Sequence, residues 1–152
     1  MTTISTEVNG ELLEAVMREI EAHPENHQQQ VWATSDPRAL PKGNTCGSAY
    51  CYAGQTLVEA GYTLRFHRSG AIEIFEPNGD AVPPWHSIPT LASELLGLTT
   101  LDPNWRFALF ASSNTREDLR LMVEAIKARM TVDEFFAKHG RPEDGWGAGA
   151  GG

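Results

Sequence analysis

Two thiols and five histidines are the side chains of this 152-residue chain whose types could carry nucleophilic or metal chemistry. Both cysteines fall in residues 45–54, which read TCGSAYCYAG. Inside one continuous helix, Cys46 and Cys51 would point about 140° apart, because the turn repeats every ~3.6 residues. With Cys46 in a loop and Cys51 in the first turn of a helix, the sulfurs could approach, since Gly47 frees the backbone between them. A zinc site wants about four Cys or His ligands. His23, His27, His67, His86 and His139 are the available partners, and none stands at a finger spacing. A thiol at a helix N-terminus gains thiolate character from the helix dipole. CGSAYC has a surface likeness to a cysteine-protease signature, but such a site also requires a distant His and Asn or Asp. By type alone, Cys46, Cys51, His67 and His86 are the candidates for metal or thiol chemistry. A disulfide would need an oxidising compartment. Cysteine is also among the most buried residue types, and this stretch is rich in small residues. The reading preferred here makes both thiols packing residues where a loop bends into a helix, with no catalytic residue and no cofactor; zinc ranks behind that.

The elements that must hold these residues follow from periodicity. Asn9 caps a helix whose stripe is Leu12, Leu13, Val16, Met17 and Ile20, ended by His23-Pro24. Residues 25–44 read as a loop with a short extended piece near Gln30–Ala33, pinned by Val31 and Trp32. Ser48 is the expected cap of a helix over Ala49–Ala60, and Gly61 ends it. YTLRFH and AIEIFE alternate as the two strands of a hairpin, followed by a PNGD turn. Helices are expected in SIPTLASELLGL and NWRFALFA. Thr115 with Asp118, and Thr131 with Glu134, are the cap signals of the last two. Gly140 closes the folded part. The expectation is α+β: a two-stranded antiparallel hairpin packed by five or six helices, one domain over residues 1–140 and a flexible glycine-rich tail over 141–152.

Charge and composition narrow the partners. The net charge is −8, which disfavours a nucleic-acid backbone as ligand. Residues 1–26 carry six acids against Arg18, so the first helix presents Glu11, Glu14 and Glu21 as candidates for docking a basic partner. Trp32 and Trp85 are candidates for an aromatic recognition surface, with the alternative that the tryptophans staple irregular segments to the core. The apolar runs fall short of the ~18 residues of a membrane span, and MTTISTEVNG is too polar for a secretory leader. A cytoplasmic protein is the expectation. HRSGA and EPNGD are glycine turns without the strand-to-helix context of a phosphate loop.

HPENHQQQVW, CGSAYCYAG, VEAGY, ASELLGL and ALFASSNT together carry a resemblance. Over residues 9–115 the chain resembles a loose group of small proteins of actinobacteria and their tailed phages with a Cys-Gly-Ser/Thr-x-x-Cys-x-Ala-Gly core. The resemblance implies a phage or phage-derived origin and a life in the host-cell cytoplasm. It supplies no activity, and the last two helices and the tail lie outside it. The resulting expectation is a small acidic protein that binds and modulates a host or phage protein. A cysteine-dependent enzyme or zinc protein using Cys46 and Cys51 is the alternative, and a DNA-mimic inhibitor the next.

Overall fold

The fold comes from a computed structural model that describes residues 7–31, 33–36, 38, 49–69, 71–84 and 86–140. Cys46, Ser48, Trp32, Trp85, Trp146 and the 141–152 tail lie outside the described residues. Among those described, seven α-helices accompany two small antiparallel strand pairs. The fold is α+β, with a hairpin packed by helices.

Helix α1 (Gly10–Ala22) forms where its periodicity places it. Asn9 Oδ1 accepts the Leu12 amide at 3.0 Å, and Leu13, Val16, Met17 and Ile20 are buried. Each such side chain contributes about 1.5–3 kcal/mol by leaving water. α1 packs against α2 (Tyr52–Glu59) and α6 (Arg116–Lys127), and α2 against α3 (Ile88–Leu96). α2 is the most enclosed of them: Tyr52 through Leu57 are all buried, as befits a helix apolar around most of its circumference. Tyr52 donates its hydroxyl to the Leu13 carbonyl at 2.7 Å, tying α2 to α1.

The cysteine stretch folds differently from its local signal. Ala49 and Tyr50 are not helical; they form strand β2 (Ala49–Tyr50), antiparallel to β1 (Ala33–Thr34), with Ala33 opposite Tyr50. His27 bridges Tyr50 on the other side in parallel sense, and the Gln28 amide donates to the Tyr50 carbonyl at 2.9 Å. These non-local bonds outweigh the weak helix preference of two residues, so the helix starts three residues later than expected. Cys51, not Ser48, is the N-cap: its backbone is extended and its Sγ accepts the Gly54 amide at 3.5 Å.

The far end of α2 closes as expected. The amides of Gly61 and Tyr62 return to the carbonyls of Val58 and Leu57, the double-bonded helix stop that favours a left-handed residue. The hairpin follows, β3 (Thr63–Phe66) and β4 (Ile72–Phe75), with Thr63 opposite Phe75 and Phe66 opposite Ile72. Ser87 caps α3. A short helix α4 (Leu98–Leu101) that periodicity did not show leads into α5 (Trp105–Leu109). Asp102 serves two helices: Oδ1 accepts from Asn104 N at 3.0 Å before α5, and Oδ2 accepts from Val132 N at 2.9 Å at the start of α7 (Val132–His139). Trp105 is fully buried, donates Nε1–H to the Met130 carbonyl at 2.8 Å and meets Phe135 edge-on; it is a staple. Capping boxes open both α6 and α7.

α6 ends in the same stop as α2, with Arg129 and Met130 amides on the Ile126 and Ala125 carbonyls. Here Arg129, at φ 63°, occupies the left-handed position. A side chain there costs about 1 kcal/mol. Arg129→Gly should therefore raise stability by roughly 0.5–1 kcal/mol in urea unfolding.

Candidate functional site

Cys51 is 0 % exposed. Burial pushes its thiol pKa up to about 12, against the smaller pull of neighbouring amides led by Gly54. At neutral pH it is a protonated core group, the opposite of an activated nucleophile. His67 lies on the exposed face of the hairpin, where Nε2 meets Glu73 Oε1. His86 sits half-buried in the turn after Pro83, whose carbonyl accepts its amide. The described members of the sequence-derived set are thus dispersed, and among the described residues no three His, Cys, Asp or Glu side chains cluster as a metal site would.

The acidic candidates part ways as well. Arg120 of α6 grips Glu14 through both terminal nitrogens (2.8 and 3.0 Å) and also pairs with Glu21 and Glu124. Lys127 adds a 2.7 Å bond to Glu14. The bonds from Arg120, then Lys127, hold the Glu14 carboxyl down at about 2, and Arg120 likewise lowers Glu21. Arg120 and Lys127 are raised in turn. Glu14 and Glu21 are thus seam residues between α1 and α6, while Glu11 stays exposed. The folded pKa of Glu14 lies below its ordinary 4.5, so its stabilisation is present above that pH and is lost as pH falls toward 2. Glu14→Gln should lower stability by roughly 1–2 kcal/mol at pH 7 and leave it nearly unchanged at pH 2. Urea titrations at both pH values check this.

The structure instead assembles a groove that the sequence did not announce. One end is a cleft of about 760 Å³ between His27–Gln30 and the segment 112–117, which runs from a turn into the start of α6. It adjoins a hollow of about 520 Å³ over Val31, Ala33, Ile72 and Phe110, through the shared residues Gln29, Gln30 and Ser112. That hollow meets a third, of about 460 Å³, at Ala33 and Ile72, with Asp36, Arg38, His67 and Arg68 around it. Among the described members of the sequence-derived set, His67 lines the groove and Cys51 and His86 do not.

Gln29 holds the groove together. It is 7 % exposed, and Nε2 donates to the carbonyls of Leu109 (3.3 Å) and Ala111 (3.0 Å). Its Oε1 accepts from Tyr52 N at 3.1 Å and meets His27 Nε2 at 2.8 Å. Because both amide hydrogens go to carbonyls, Oε1 must face His27, and His27 must donate from Nε2. The imidazole is therefore the Nε2–H tautomer with Nδ1 as acceptor. Burial, helped by the Arg116 charge, pushes the His27 pKa down, so the ring is neutral at pH 7. Asn114 repeats the device, donating to the carbonyls of Ala108 and Leu109 at 2.8 and 3.1 Å. These two amides satisfy the last carbonyls of α5 and fix the turn that forms the groove wall.

Sequence reading missed Gln29 in the run HQQQVW. No spacing signal singles it out, because Gln29 and Gln30 lie in a turn, where no strand alternation sorts the three glutamines. Comparison with protein-family models, with curated proteins and with solved structures finds no match to this chain. Among the described residues no helix is long and apolar enough to cross a membrane.

Proposed function

We propose that the chain is a non-enzymatic interaction protein that binds and modulates another protein, of host or phage origin as the sequence resemblance implies, in the host-cell cytoplasm. The observation that carries the reading is the row of adjoining hollows from His27 to Arg68, with an apolar middle and polar, hydrogen-bonding ends. Surfaces of this composition suit recognition, where apolar contact supplies affinity and a few polar groups set orientation. The buried Cys51 thiol weighs against thiol chemistry at that residue. Pairing of Glu14 and Glu21 with Arg120 weighs against a DNA mimic, which needs rows of unneutralised carboxylates.

The test is affinity capture from a mycobacterial or related lysate, followed by titration of the captured protein against the purified chain. A stoichiometric complex supports the reading. Hydrolase or transferase turnover by the purified protein, with no partner retained, overturns it.

A further inference from the structure

We infer that the groove receives an extended, acidic segment of the partner protein, an apolar side chain resting over Val31, Ala33, Ile72 and Phe110 and carboxylates at the two ends. This rests on the interaction reading above and adds the chemistry of what is bound.

Three adjoining hollows in a row suit a chain in extended conformation better than a compact ligand. Successive side chains of such a chain point to opposite sides, so alternate residues would enter the hollows while the others stay in solvent. The middle hollow is the apolar one, and the cationic groups stand at the ends.

Charge complementarity selects acids. The chain as a whole carries −8, yet Arg38 and Arg68 lie at one end of the groove and Arg116 at the other. Arg18, Arg65, Arg120 and Lys127 are paired with glutamates elsewhere on the molecule. Arg68 and Arg116, in contrast, enter no ion pair among the described residues. Against them stand Asp36, already bound by Arg38 at 3.0 Å, and Glu117. Screening limits the reach of each exposed charge to about 8 Å at physiological salt, so the groove's own residues set the field a bound segment feels. A short acidic segment fits within that field. A nucleic acid would run beyond it onto the acidic remainder, which favours a protein segment as occupant.

The test is selection of a random-sequence peptide display library on the full chain at physiological salt. The enriched peptide is then titrated by fluorescence anisotropy. We expect enriched sequences with acids flanking an apolar centre, and affinity that falls as salt rises. The double variant Arg68→Glu/Arg116→Glu should bind about tenfold or more weakly, with an unchanged thermal midpoint. Arg106→Glu, at a position that does not line the groove, should bind as wild type. Amide shifts on peptide addition should concentrate in residues 28–36, 66–72 and 110–117. Enrichment of basic peptides, indifference to the double charge reversal, or tight binding of a labelled single-stranded oligonucleotide that displaces the peptide would each overturn the inference. Shifts centred on the exposed Phe107 or Leu121 would overturn the groove while leaving the interaction reading standing. An unenriched library would do the same if the lysate experiment still yields a stoichiometric partner.

Discussion

Gln29→Met is expected to lower folding stability by about 2–4 kcal/mol, although methionine nearly preserves the side-chain volume. The reason is the number of groups left behind. Removing the amide leaves the Tyr52 amide and the His27 Nε2–H without their partner at a position 7 % exposed, and takes one of two donors from the Leu109 and Ala111 carbonyls, which keep their bonds from Asn114. Each buried polar group without a bond costs about 1–3 kcal/mol, and the half-buried His27 regains part of its share from water. The affected groups belong to three separate parts of the fold: the segment before β1 and the start of α2, which lose their partner, and the end of α5, which loses one of its two donors. The variant should therefore also blur amide signals across the groove, where a cavity mutant of similar cost would act locally. Urea unfolding with nitrogen–proton correlation spectra reads both effects. A loss under about 1 kcal/mol would mean that water replaces the amide and that Gln29 is not the hub.

Gly97→Ala is expected to cost about 3 kcal/mol, from two sources. Gly97 has φ +71°, where a side chain is strained, and a methyl there would lie 1.9 Å from the Glu7 carbonyl oxygen. The strain alone accounts for about 1 kcal/mol. The remainder comes from the chain that must move aside. Asn9 donates its amide to the Leu96 carbonyl at 2.9 Å and caps α1 through its side chain, and a lost N-cap alone costs about 1 kcal/mol. The damage should appear as early exchange of the amides in the first turn of α1. Protection of those amides as in the wild type, at a stability loss below about 1 kcal/mol, would show that the N-terminal segment adapts without leaving its seat.

Local rules made several elements legible in advance. The helix stripe of Leu13, Val16, Met17 and Ile20, the boxes at Thr115 and Thr131, the glycine stop at Gly61 and the alternation of the hairpin are interactions within about four residues or within one face. They depend on side-chain type and spacing, and both are written in the chain. The α+β character follows from the same signals. Cysteine burial was anticipated on composition, and Cys51 is buried.

What failed to show in advance was non-local. Ala49 and Tyr50 carry a helix-compatible sequence and became a strand because Ala33, Thr34 and His27 lie beside them. Nothing in Glu14 or Glu21 marks them as partners of Arg120, which lies on another helix a hundred residues away. The three glutamines of HQQQVW are alike by type, and Gln29 turns inward to two carbonyls 80 and 82 residues on. By itself the sequence determined most of the helices, the hairpin, the caps at Asn9, Thr115 and Thr131 and the buried faces, because those rest on short-range hydrogen bonds and hydrophobic period. Tertiary structure alone decided which polar groups are consumed internally and which are left to line the groove, because that depends on which distant backbone ends must be satisfied once the helices are packed.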